Sequence, residues 1–252
     1  MAVSPHLDDA VFSVGGTLAR LGERAEVLVV TCFTGSVDPA TATPFALSTQ
    51  LDKGLGADVD YMALRREEDR RALSVLGVVG THLDLLEAPH RGYASAPELF
   101  AGRRPDDEVA GPLAAALGPL LADADLVLAP QALGDHVDHQ WVGEVVAHLV
   151  PEGRRAWWRD TPYVVKRPDA RPMAHVEGEA VAVDVGETLE RKVEAVGCYV
   201  TQVPFQFGSP EAAGETLRAL ARAEGGGTPA EVLRARDDVR DQLEGLLSPS
   251  GG

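Results

Sequence analysis

Cysteine is nearly absent from this chain: Cys32 and Cys198 are the whole supply, and no C-x-x-C spacing joins them. That excludes a disulfide scaffold and a redox dithiol, and both thiols are expected to be reduced, buried and inert. Aromatic side chains make up only 5 per cent, so Leu, Val and Ala must fill most of the core. No apolar run reaches the roughly 20 residues that a bilayer-spanning helix needs, and no charged n-region precedes the first motif. The expectation is a soluble, cytoplasmic protein, and the reading leaves open whether Met1 is the natural start. Basic residues are in deficit, 23 Lys and Arg against 39 Asp and Glu, for a net charge of −16. Nucleic-acid binding draws on clustered Lys and Arg, so a polyanionic partner is excluded, and a neutral or cationic small substrate is the better match. Two motifs are also missing. Gly15-Gly16-x5-Gly22 is not the G-x-G-x-x-G of a nicotinamide or flavin site. No G-x-S-x-G elbow surrounds Ser4 or Ser13, which weighs against a serine hydrolase.

What the chain has is a dense stretch near its start, Val3-Ser4-Pro5-His6-Leu7-Asp8-Asp9-Ala10. An imidazole and two adjacent carboxylates sit where a short apolar run gives way to a helical pattern. A metal with an open position needs a few N or O ligands, and a free carboxylate beside it can take a proton from water. Taken alone, the stretch reads first as a helix N-cap by Asp8 or Asp9. A second constellation changes that reading: Gly134-Asp135-His136-Val137-Asp138-His139, which follows the apolar run 125–129. Histidine is scarce, seven in all, yet two lie three apart here. The ends of two parallel strands can lie side by side in an open α/β sheet, which would bring His6, Asp9 and His139 together as a site for catalytic zinc.

The pairing of Pro5-His6-Leu7-Asp8-Asp9-Ala10 with His136-Val137-Asp138-His139 resembles the PIG-L/LmbE-like family, zinc-dependent N-deacetylases and amidases acting on amino sugars and related N-acyl compounds. Arg65-x-x-Glu68, Trp158-Arg159-Asp160-Thr161-Pro162-Tyr163 and Lys192-x-x-Ala195-x-x-x-Tyr199-x-Thr201-Gln202 fit the same resemblance in the same order, from residue 3 to about residue 235. Leu7 and Ala10 stand where the family has proline and glutamate. The resemblance implies His6, Asp9 and His139 as zinc ligands, with Fe2+ or another divalent ion as the alternative. It implies Asp8 as general base. It implies a protonated His136, kept charged by Asp138, that steadies the transition state and protonates the leaving amine. Arg65, Glu87 and Tyr163 are the candidate substrate contacts.

The implied fold is α/β: a Rossmann-like, mostly parallel sheet with helices on both faces, LmbE-like, plus a small C-terminal β/α extension. The expected organisation is one domain over 1–252. Residues 1–150 form the metal-binding core, 151–252 complete the pocket, and 248–252 are a disordered tail. In chain order the pattern predicts a helix over 11–21 and a buried strand over 25–33. A long connection follows over 34–60, then an amphipathic helix over 63–76 and a strand over 82–87. A helix over 109–122 precedes the strand at 125–129 and a helix over 141–150. Short β-like pieces follow at 156–158, 163–165 and 180–183, the last of which could belong to a separate small sheet. A helix over 188–200 comes next, and the glycine run 225–227 separates the last two helices. Either long connection, 34–60 or 87–108, could act as a lid.

The functional expectation is therefore a metal-dependent hydrolase that removes an acyl group, acetyl first, from an amino-sugar nitrogen in specialised metabolism. The alternatives are an amidase cutting a larger pseudo-disaccharide thiol conjugate, a serine hydrolase and a non-catalytic binding protein. No nucleic-acid or membrane partner is expected, and a homo-oligomer is compatible with the sequence.

Overall fold

A computed structural model describes residues 1–247; the expected tail at 248–252 lies outside them. In chain order the elements are β1 (Ala2–Ser4), α1 (Asp9–Gly22), β2 (Leu28–Thr31), α2 (Pro44–Leu51), α3 (Tyr61–Leu76), β3 (Val79–His82), α4 (Ala110–Leu121), β4 (Val127–Pro130) and α5 (Val137–Leu149). The second part holds β5 (Arg155–Trp158), α6 (Tyr163–Lys166), β6 (Glu179–Asp184), α7 (Leu189–Val196), α8 (Val203–Phe207), α9 (Pro210–Glu224), β7 (Ala230–Ala235) and α10 (Asp237–Leu247).

The seven strands of the described residues share one sheet in the order β3-β2-β1-β4-β5-β7-β6. The first five run parallel, while β7 is antiparallel to both β5 and β6. The central strands are apolar throughout because both faces are covered. Ala2 of β1, Leu128 of β4 and Trp158 of β5 join one core with α1, α3, α7, α9 and α10. Val3, Val127 and Trp157 join the other, with α4 and α5. Strand order reverses between β1 and β4, and in open α/β sheets ligands bind outside the carboxyl ends of the strands at that switch point.

Helix α1 is broken at Val14 (φ −130°, ψ 24°). The polar groups around the break are answered from far along the chain. Glu231 of β7 accepts the N–H groups of Gly16 (3.0 Å) and Thr17 (2.7 Å), and Lys192 Nζ donates to the Ser13 carbonyl (3.1 Å). The two side chains pair with each other at 2.7 Å, both buried. Gly16 is required at this packing point: a Cβ there would come within 2.9 Å of Val185.

Four expectations are corrected. The third strand lies at 79–82, not 82–87: it is a half-exposed edge strand of polar character, held by pairing Leu28–Thr31 with Val79–His82. The apolar Leu83 and Leu85 that suggested a strand pack against the core from the loop beyond it. Residues 163–165 are helical, since the carbonyls of Asp160 and Pro162 accept the N–H groups of Val164 (2.9 Å) and Lys166 (3.0 Å). Segment 180–183 is no separate sheet, because β7 bridges it to β5. Finally, the glycine run leads into β7: Ala230–Ala235 is a strand despite helix-favouring residues, held by a six-residue ladder with β6.

Candidate active site

His6 leaves the end of β1, and Asp8 and Asp9 start α1; His136 caps α5, and Asp138 and His139 lie in its first turn. Two helix N-termini thus converge with two strand ends, which explains why acidic residues are tolerated there. The acids are nevertheless aimed at imidazoles. Asp9 Oδ2 lies 3.2 Å from His6 Nδ1 and 3.2 Å from His139 Nε2. It also accepts the His6 backbone N–H at 2.9 Å, which fixes its position.

The outer nitrogen of each ring is engaged, which sets the tautomer. His6 Nε2 bonds Asp138 Oδ2 at 2.9 Å, and His139 Nδ1 bonds Asp160 Oδ1 at 2.7 Å. His6 Nδ1 and His139 Nε2 are left facing Asp9. His139 Nε2 is buried without a hydrogen-bond partner. Four donors around a metal at 2.0–2.1 Å stand about 3.3 Å apart, close to the spacing observed. His6, Asp9 and His139 therefore fit a divalent ion, with Asp138 and Asp160 as the carboxylates that orient the rings behind them. His136 also joins His6 and His139 in a group whose ligand nitrogens all lie within 4.8 Å of one another, while Asp9 Oδ2 is the donor that stands 3.2 Å from both inner imidazoles.

Electrostatics agree. Burial opposes charge on His6, yet its bonds to Asp138 and Asp9 raise it well above the ordinary imidazole value. His139 is likewise pushed up to about 9 by Asp9 and Asp160 against the opposing effect of burial. The pocket holds excess negative charge that any cation relieves. His136 behaves oppositely: burial and the neighbouring His6 push it down to about 3. Its Nδ1 accepts the Asp138 backbone N–H at 3.2 Å, so the ring is neutral and presents Nε2–H. Among the described residues, the Asp138 carboxylate makes no hydrogen bond to the His136 ring. That carboxylate instead serves His6, the Ala88 N–H (3.1 Å) and Arg91 (2.7 Å).

Burial, then Asp9, pushes the Asp8 carboxyl up to about 7. Arg65 reaches it from α3 at 3.6 Å and is itself held by Glu87 at 2.5 Å. Tyr163 stacks edge-on against His139, ring centroids 5.5 Å apart. That approach needs the left-handed Gly134 (φ +91°), where a Cβ would meet the tyrosine ring at 2.7 Å. All three candidate substrate contacts, Arg65, Glu87 and Tyr163, line a cleft of about 670 Å³ together with His6, Asp8 and Asp9. Both long connections contribute walls, through Phe45 and Lys53 and through Leu99 and Phe100. Asp160 and Arg91 are not among the expected site residues; for Asp160 the available signal is its place in the Trp158–Tyr163 segment that fits the family resemblance.

Residues 1–150 match the family model described as GlcNAc-PI de-N-acetylase, PIG-L. The chain belongs to the PIG-L family. It is 33% identical over 233 residues to a 2'-N-acetylparomamine deacetylase from Streptomyces fradiae, covering 88% of this chain and 78% of that one. Its fold superposes on the zinc-inhibited form of teicoplanin deacetylase Orf2 with TM-score 0.79, at 29% identity over 94% of this chain and 98% of that one. The A40926 pseudoaglycone deacetylase Dbv21 gives 0.78 at 28% identity, covering 93% and 95%. This PIG-L member is a hydrolase of amide bonds, an N-deacetylase that depends on a divalent metal. Among the described residues, no helix is long and apolar enough to cross a membrane.

Proposed function

We propose that this PIG-L member removes an acetyl group from the amino-sugar nitrogen of a larger small-molecule substrate in specialised metabolism, with zinc as its metal. The observation that carries the reading is Asp9 Oδ2, 3.2 Å from two inward-facing imidazole nitrogens, one of them buried without a partner, and with Asp8 next in sequence. The relatives named above act, by their names, on 2'-N-acetylparomamine, on teicoplanin and on the A40926 pseudoaglycone.

In this reading His6 Nδ1, Asp9 Oδ2 and His139 Nε2 hold the ion, which would supply Lewis acidity to the amide carbonyl and to water. Asp8 takes the proton of the attacking water. A carboxyl at about 7 can accept a proton near neutrality and give it up again, so Asp8 also returns the proton to the departing nitrogen as the C–N bond breaks. Arg65, tethered by Glu87, keeps Asp8 aimed into the cleft. His136 offers its Nε2–H to the oxygen that gains charge, a hydrogen bond from a neutral ring. Tyr163 closes the wall beside His139 and keeps bulk water from the reacting carbonyl. The products are acetate and a free amine.

The test is metal content and released acetate, measured together on N-acetyl amino sugars and their glycosides. His139→Ala is expected to lose the metal. Asp8→Asn is expected to keep it while turnover falls by about 10²–10⁴. Full turnover in Asp8→Asn would refute the assignment of the base.

A further inference from the structure

The chain contains only three lysines, Lys53, Lys166 and Lys192. Lys192 is buried against Glu231. The other two both line the mouth of the active-site cleft, an improbable placement in a protein of net charge −16 unless the mouth has a use for cations. Both rest on the same short helix, α8. Lys53 Nζ lies 4.7 Å from the Phe205 ring centroid and donates to the Thr49 carbonyl at 2.9 Å; Lys166 Nζ donates to Gln206 Oε1 at 2.8 Å. Neither has a carboxylate within ion-pair distance among the described residues, whereas nearby Arg167 is 3.5 Å from Asp135.

The same mouth is apolar and aromatic. Phe205, 63% exposed, lines the cleft with Phe45, and Phe100, 37% exposed, continues the aromatic wall inward, its ring 5.3 Å from that of His136. The acidic groups deeper in are engaged: Asp8, Asp9 and Asp138 with the imidazoles and arginines, and Glu87 with Arg65. Asp52, beside Lys53, is the remaining carboxylate on the cleft wall.

We propose that the cleft mouth recognises an apolar portion of the substrate carrying an anionic group, carboxylate or phosphate, held between Lys53 and Lys166 and against Phe45, Phe100 and Phe205. The inference rests on the deacetylase reading only for placing the N-acyl sugar at the floor. The negative charge of the whole chain favours a neutral or cationic substrate; the local charge at the mouth reverses that preference for the part of the substrate remote from the amide. A polycationic molecule would have to seat ammonium groups beside two unpaired lysines.

Phenyl glycosides of N-acetylglucosamine bearing a para carboxylate, phosphate, hydroxymethyl or aminomethyl group test this on the metal-loaded protein. Kd comes from calorimetry and kcat/KM from released acetate. An anionic glycoside is expected to bind about tenfold tighter than the aminomethyl compound at low salt, with the gap narrowing near 1 M salt. In the double variant K53E/K166E the order is expected to invert. Affinities equal within about twofold, or a preference for the ammonium compound, would overturn the proposal. An anionic preference in Kd without acetate release from any glycoside would sink the reading that an N-acetylglucosamine-type unit is what the floor deacetylates and leave this one standing. The carboxylate and phosphate arms separate the two sources of the anion.

Discussion

Asp138 Oδ2 stands 2.9 Å from His6 Nε2, so the acid that follows His136 by two residues orients an imidazole 132 residues away. Losing such a carboxylate behind a metal-binding histidine costs about 10–100-fold in metal affinity. Asp138→Asn should show that loss in chelator competition while the far-UV circular dichroism stays native. Undiminished affinity would mean that His6 is oriented by something else.

The Lys192–Glu231 pair differs from an ordinary buried salt bridge because it also satisfies the backbone at the break in α1. Removing one partner of a buried pair costs about 3–5 kcal/mol, and replacing both by apolar residues often restores stability. Here restoration is not expected, since the Gly16 and Thr17 N–H groups and the Ser13 carbonyl would remain unanswered, each costing about 1–3 kcal/mol. Denaturant unfolding of Lys192→Met, Glu231→Gln and the double variant decides the matter. A double variant within about 1 kcal/mol of wild type would show that the pair merely neutralises itself.

Asp107 accepts from Arg91, Tyr93 and Trp141, and the same guanidinium reaches Asp138 at 2.7 Å. Burial alone would raise the Asp107 carboxyl, but the hydrogen bonds and charge of Arg91, with Trp141 and Tyr93, hold it below the ordinary range. A depressed folded-state value contributes stability above the unfolded value of about 3.9, and that contribution is lost as pH falls below it. Wild type should therefore exceed Asp107→Asn in stability at neutral pH, with the gap closing in acid below about pH 4. A gap independent of pH would rule out a charge-based role.

The central strands and long helices were legible because burial on both faces writes continuous apolar runs, as in β2 and β4, and because Gly77 and Asp60 bracket α3 with clear end signals. The inner trio of His6, Asp9 and His139 was legible because scarce histidines cluster at strand ends. The partners of those rings were not. Sequence neighbours suggest that Asp138 serves His136, but in the first turn of α5 the side chain points to β1, across the switch point. Asp160 depends on β5 lying beside β4, a pairing that residue patterns do not encode. β7 was hidden for a similar reason: its ladder with β6 overrides the helical leaning of Ala230-Glu231-Val232-Leu233-Arg234-Ala235.

The splint across the break in α1 also bears on how the enzyme is born. A ribosome delivers both halves of the proposed metal-binding constellation by residue 139, yet Glu231 is still more than ninety codons from synthesis. Until it emerges, the helix that presents Asp8 and Asp9 is missing its brace. The nascent protein thus carries His6, Asp9 and His139 long before the residue that answers the open N–H groups of the helix beside them.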